Sequence, residues 1–334
     1  MDPVDPVALA RQLIDIDSTT GREVEVAVVL ASYLRARGYS VLEQPLSGGR
    51  TNVIAACGEP RLVFSTHFDC VPPFFPSRIE GDLLYGRGAC DAKGILAAQV
   101  AAAERLRADG ESRVGLLFVA GEERGSDGAI AANTFASQSQ FLINGEPTDN
   151  RLGSATRGVF RVKLIASGRA AHSGYPELGE SAIEKLVDVL TSLRSAPWPH
   201  DDVLGTTHYS VGLIGGGIAP NVVPPQAEAE IIFRSVGDHD ALRRILRETV
   251  GDRATIHEVL EVPPIRLRTQ PGFETAVFAY TTDVPLLGSW GTPLLLGPGS
   301  IHVAHTDREH VRVGEMLEAV DLYVRLAQQL LAEG

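Results

Sequence analysis

Two histidines and a set of carboxylates stand in this chain where metal ligands would be expected. In 65–72 (STHFDCVP) a β-like run feeds His67, and Asp69 follows on the same face by the strand's period of two. A metal-bound imidazole usually gives its other N–H to a carboxylate, so His-x-Asp can supply both parts. A chance pair in a surface loop has the same appearance. In 85–94 (YGRGACDAKG) Asp91 sits in a glycine-rich turn ahead of a helix, free to reach inward or simply to cap the helix.

In 119–125 (VAGEERG) a strongly apolar strand ends on Glu122 and Glu123. Neighbouring side chains of an extended chain point to opposite faces, so one could ligate a metal while the other addresses a bound water. A solvated acidic loop is the plain alternative. Glu146 lies just past another strand, 141–144, and His302 and His305 lie three apart in 297–309. His305, beside the small Ala304, is the better donor, and His302 reads as a solvated loop residue. Each segment alone admits the bland reading; the combination does not. Two imidazoles and three carboxylates, each after a strand or in a glycine-rich turn, describe a site for two metals with one carboxylate bridging. Nitrogen and carboxylate donors without thiolate suit two divalent ions, zinc first, with cobalt able to substitute. Paired metals acidify a bridging water and polarise a carbonyl, which leaves Glu122 to act as general base and then to protonate the leaving amine.

The elements that must position these groups follow from periodicity. Residues 7–14 and 23–37 carry helical spacing, with Gly38 as a stop, and 39–43, 52–56 and 62–65 are β-like. An Ala-rich helix over 94–107, a buried strand at 114–120, a helix over 127–135 and a strand at 141–144 complete an alternation that predicts a sheet with helices on both faces. The order then changes. Strands at 159–166, 207–214, 227–233 and 254–259 with helices at 181–194 and 240–249 give β-α-β-β-α-β, a small ferredoxin-like domain. The expected division is a discontinuous catalytic domain, 1–157 and 267–334, closing with a helix over 313–331, and an inserted lid or dimerisation domain over 158–266.

Composition bounds the partners. The net charge of −12 argues against a nucleic-acid backbone, and no run of about 18 apolar residues offers a membrane span. Three cysteines without a CxxC pair suggest neither a disulfide framework nor a zinc finger, and residues 1–5 show no signal-peptide pattern, so a reducing cytoplasm is expected.

The ordered segments STHFDCVP, YGRGACDAKG, GEERGSDGA, GEPT and GPGSIHVAHTDREHV resemble the signature of the aminoacylase and carboxypeptidase G superfamily of zinc hydrolases. That superfamily includes acetylornithine deacetylase and succinyl-diaminopimelate desuccinylase. The resemblance spans nearly the whole chain. It implies that His67 and Glu146 hold one metal, that Glu123 and His305 hold the other, and that Asp91 bridges. It further implies that Glu122 is the catalytic carboxylate and that Asp69 orients the ligand histidine. Within 168–176, His172 is similar to a lid histidine that reaches the partner's site in dimeric members and stabilises an oxyanion. Asn221 resembles a substrate-contacting lid residue, and Arg234 one that grips the substrate's α-carboxylate. Arg157, at the hinge, is a candidate second cation for a succinyl tail.

Glu146, where aminoacylase-type and dipeptidase-type members carry Asp, points to the acetylornithine and succinyl-diaminopimelate branch. The expectation is therefore a homodimeric hydrolase of N-acyl amino acids, of the N-acetylornithine type in arginine biosynthesis. The alternatives are a desuccinylase, a hydrolase acting on a lysine-biosynthesis carrier protein, a dipeptidase or carboxypeptidase of the same family, and, more distantly, a non-catalytic binder of amino-acid derivatives.

Overall fold

The computed structural model describes residues 2–135 and 137–333. Its contacts divide the chain into two compact units: Met1–Ser154 with Leu267–Ala276 and Thr282–Gly334, and Ala155–Arg266 with Val277–Thr281. The sequence reading ended the inserted segment at 266. The second unit also takes in Val277–Thr281, where the N–H of Arg157 donates to the Phe278 carbonyl (3.0 Å).

The first unit is built on a six-stranded mixed sheet. Its spatial order is Ser40–Pro45, Thr51–Ala56, Val114–Val119, Leu62–His67, Phe141–Asn144 and Thr292–Leu295. The last four run parallel, and the first two are attached antiparallel at one edge. Alternation assigns the faces. Leu62, Phe64, Leu116 and Phe118 pack with Leu13, Leu30, Ile95, Leu96, Met316 and Tyr323 from helices Pro6–Ile14, Val24–Ala36, Lys93–Ala108 and Val313–Leu331. Val63, Leu117, Val119 and Leu142 face the other way, onto Ala129, Ala132, Leu287 and Trp290. Each such side chain, fully buried, contributes about 1.5–3 kcal/mol of transfer free energy, and strands hydrophobic on both faces are what a doubly covered parallel sheet requires.

Two local expectations change. The helix expected over 127–135 stops at Ala132. Beyond it Asn133 turns its side-chain carbonyl to the N–H of Ser289 (2.8 Å), and Phe135 stacks on Trp290. The strand Thr292–Leu295 is absent from the sequence reading, because a four-residue run containing Pro293 lacks a strand signal. It is an edge strand, where proline is tolerated.

The second unit is a four-stranded antiparallel sheet ordered His208–Gly216, Gln226–Ser235, Gly158–Ser167, Thr255–Val262. In chain order this is 2-3-1-4, the arrangement expected of the β-α-β-β-α-β pattern. Phe160, Val162, Leu164, Ile231 and Phe233 line one face and pack on helices Ala182–Leu193 and His239–Val250.

Candidate active site

The carboxyl ends of the four parallel strands carry the chemistry, as expected of open α/β sheets. Leu62–His67 and Val114–Val119 end in register, His67 opposite Val119. One strand therefore delivers His67 where the other delivers the turn bearing Glu122 and Glu123. Phe141–Asn144 leads to Glu146, and Thr292–Leu295 to the loop bearing His305. Gly121, at φ +81, opens the glutamate turn, and a Cβ there would collide with the Asp127 carboxylate.

Asp91 joins the parts. Its Oδ1 lies 3.0 Å from Nε2 of His67 and its Oδ2 lies 3.3 Å from Nε2 of His305. Nε2 of His305 also meets the Glu123 carboxylate at 3.0 Å. Donor atoms of His67, Asp91 and Glu146 lie within 4.8 Å of one another, and so do those of Asp91, Glu123 and His305. His67, Asp91 and Glu146 are buried, Glu123 is half-buried and His305 is exposed. His302 is exposed and belongs to neither group.

This donor set fits divalent cations on electrostatic grounds. Burial, reinforced by Asp91, pushes the Glu146 carboxyl well above the usual carboxylate range, and burial with Glu146 and Asp283 does the same to Glu122. Burial opposes charge on His67, but hydrogen bonds with Asp69 and Asp91 raise it well above its ordinary value. Hydrogen bonds with Asp91 and Glu123 push His305 up to about 10. So many carboxylates converging on so few protons form a concentration of negative charge that cations would compensate. Thiolates are not part of it. Burial pushes the Cys70 thiol up to about 12, and Cys90 donates its S–H to the Ser300 carbonyl at 3.3 Å.

Asp69 does more than the sequence suggested. The nearer partner of His67 Nδ1 is the Asp69 backbone carbonyl (3.0 Å), with the carboxylate at 3.5 Å. That carboxylate chiefly holds the glutamate turn, accepting from the N–H groups of Glu122 (3.0 Å) and Glu123 (3.2 Å) and from the Thr20 hydroxyl (2.9 Å). Among the buried carboxylates that escaped the sequence reading are Asp283 and Glu309. Asp283 is pushed up to about 6 by burial and the Asp69 charge, against the Ser126 hydroxyl and His67. Glu309 is fully buried and bonded to Arg87 (2.6 Å). Neither position carries a local signal, because a lone acid in a loop reads as solvated.

The second unit holds the other expected residues in two groups. His172 and Asn221 are neighbours: His172 bridges Val222, and the N–H of Ser173 donates to the Asn221 carbonyl (3.0 Å). Nδ1 of His172 accepts the Gly174 N–H (3.0 Å), which leaves the ring proton on Nε2, exposed and able to donate. Arg234 lies directly across the strand pair from His208, and Arg157 donates to Nδ1 of His208 at 2.5 Å. Burial pulls the Arg234 guanidinium down.

A sheet presenting imidazole and carboxylate donors at the ends of its parallel strands is suited to holding divalent metal ions. The model of peptidase family M20/M25/M40 matches residues 63–329, and the chain belongs to that family. It is a metal-dependent hydrolase of amide bonds. It is 37% identical over 333 residues to a peptidase M20 domain-containing protein of Schizosaccharomyces pombe, covering 96% of this chain and 83% of that one. It is 36% identical over 368 residues to a probable carboxypeptidase of Aspergillus clavatus, covering 96% and 81%. In fold it is similar to the aminopeptidase PepT of Bacillus cereus, with a TM-score of 0.79 at 21% identity and 96% of both chains covered. Among the described residues no helix is long and apolar enough to cross a membrane.

Proposed function

We propose that the chain cleaves the amide bond on the nitrogen of an amino acid whose α-carboxylate is free, either an N-acyl amino acid or the last residue of a short peptide. The observation that carries this reading is the division of five donors into two groups sharing Asp91. His67 and Glu146 would hold one divalent ion and Glu123 and His305 the other, with Asp91 between them. Two zinc ions suit the nitrogen and oxygen donors. When bound, such ions polarise a carbonyl and make a water more acidic.

The protein's own groups have separable tasks. Glu122 shares its turn with Glu123, and its elevated proton affinity suits a carboxyl that takes a proton from water and returns it to the leaving nitrogen. Asp69 fixes that turn. Nε2–H of His172 is a donor for the oxyanion, in the family's manner from the lid of a partner subunit. Arg234 would pair with the substrate α-carboxylate, Asn221 would contact the substrate, and Arg157 would supply a second cation. The strand His208–Gly216 supports a homodimer formed through this unit. It lies at a sheet edge and exposes 67% of Leu213 and 63% of Ile214.

The free carboxylate unites the two substrate classes. Similarity to a probable carboxypeptidase favours a peptidyl acyl group, whereas Glu146 underlies the narrower N-acetylornithine reading. A reducing cytoplasm is the proposed location, which three cysteines without a CxxC pair support. A panel of N-acetylornithine, other N-acetyl amino acids, N-succinyl amino acids and dipeptides tests the reading, each with free or amidated carboxylate and with zinc added or chelated. Turnover should require both zinc and the free carboxylate, and Arg234→Ala should raise KM for those substrates at least tenfold. Equal turnover of amidated substrates, or turnover in excess chelator, would overturn it.

A further inference from the structure

Glu309 is a fully buried carboxylate that the proposed function leaves without a task. It opens the strand His310–Arg312, which pairs antiparallel with Leu83–Tyr85, and the latter leads directly into the loop ending at Asp91. Its Oε1 accepts three backbone N–H groups from that loop, those of Gly88 (2.9 Å), Cys90 (3.2 Å) and Asp91 (3.1 Å). Its Oε2 accepts from Arg87 Nη1 (2.6 Å), and its backbone carbonyl accepts the Gly86 N–H (3.2 Å). Every side-chain contact is a donor, so the ring of groups is built for a carboxylate and not for a neutral amide. N–H groups converging on one oxygen form a nest of the kind that elsewhere binds free anions. Here the chain supplies its own anion.

The loop cannot readily find another shape. Gly88 has φ +89, and a Cβ there would lie 2.7 Å from Cys70 Sγ. Arg87, with Nε on the Pro73 carbonyl (3.2 Å) and its guanidinium 5.0 Å from the Phe75 ring centroid, is itself fixed. The backbone held by Glu309 is that of Asp91, whose two oxygens must face two imidazoles at once. Glu309 also follows His305 by four residues, in the loop that supplies the second imidazole.

We propose that Glu309 is the positioning residue for the shared carboxylate, and that through its own loop it sets the Glu123–His305 metal site more tightly than the His67–Glu146 site. His67 ends a sheet strand and Glu146 follows the strand Phe141–Asn144 by two residues, so the sheet places both without Glu309. Asp91 and His305 are both loop residues, and Glu309 ties their loops together. This inference rests on the two-metal reading of the site.

The test is zinc affinity, measured at equilibrium by competition with a chromophoric chelator, on the full chain as wild type, Glu309→Gln, Glu309→Asp and Arg87→Lys. Changing a group that orients a ligand typically weakens metal binding about 10–100-fold. We expect two tight zinc ions in the wild type. In Glu309→Gln one should stay within about threefold and the other weaken by that factor, with Glu309→Asp and Arg87→Lys falling between. Glu104→Gln breaks a different buried ion pair, with Arg37, and should leave both affinities unchanged, which separates positioning from general loss of stability. Two unchanged affinities in Glu309→Gln would overturn the proposal and leave the metal site standing. Should that variant not fold, two unchanged affinities in both Glu309→Asp and Arg87→Lys would overturn it equally. A wild type that binds fewer than two zinc ions would overturn the two-metal reading itself and the proposal with it.

Discussion

Replacing Asp69 by asparagine removes one charge and one acceptor from a fully buried position, and the consequence can be worked out atom by atom. The carboxylate accepts the N–H groups of Glu122 and Glu123 on separate oxygens and the Thr20 hydroxyl besides. An amide offers one carbonyl oxygen, so at least one of the two backbone N–H groups must face an NH2 donor. A buried donor without an acceptor costs about 1–3 kcal/mol, and a bond to an ionised acceptor contributes about 1.5–3 kcal/mol. The metal-free variant should therefore lose about 2–3 kcal/mol of unfolding free energy. At about 2–4 °C per kcal/mol for larger domains, its Tm should fall about 4–12 °C. Urea and thermal unfolding of the chelated protein, followed by circular dichroism, read this directly. Thr20→Val removes only the hydroxyl donor, keeps both backbone bonds, and should cost about 1.5 kcal/mol, the low end for a bond to an ionised acceptor. An Asp69→Asn midpoint equal to that of the wild type would refute the reasoning, for it would show that the glutamate turn holds itself.

Glu122→Gln should retain its bound metal yet lose turnover by about 10²–10⁴-fold, the usual share of a positioned acid–base group; metal analysis beside steady-state kinetics checks both halves, and retained turnover would remove Glu122 from its role. In the second unit, hydrogen bonding to His239 and then Arg243 holds the Glu261 carboxyl below its ordinary value, against burial. A depressed carboxyl contributes stability above its unfolded pKa of about 4.3 that is lost as pH falls through the lower folded value. Because Glu261 is 43% exposed, screening keeps that contribution under about 1 kcal/mol. Glu261→Gln should flatten the acid side of the stability curve of this unit, and an unchanged pH dependence would count against the pair.

What the sequence made legible, and what it did not, divides along sequence distance. His67, Glu123 and Glu146 could be found because His67 ends an apolar strand and the two glutamates follow one within two to four residues, and strand ends are where such folds place reactive groups. The ferredoxin-like order was readable because amphipathic periods of two and 3.6 repeat over segments long enough to tell apart. Glu309 was not readable as a buried group, since its partners lie 218–222 residues away and an acid beside Arg308 has every local mark of solvent exposure. Asp283 was hidden for the same reason. The true bonds of Asp69 required knowing that the strands Leu62–His67 and Val114–Val119 end side by side, a matter of register that no local pattern carries.

Anomalous diffraction at the zinc absorption edge, on crystals grown with zinc, tests the central claim most directly. Two peaks are expected, one among His67, Asp91 and Glu146 and one among Asp91, Glu123 and His305, with Asp91 contacting both. A single peak, or peaks coordinated by other residues, would contradict it.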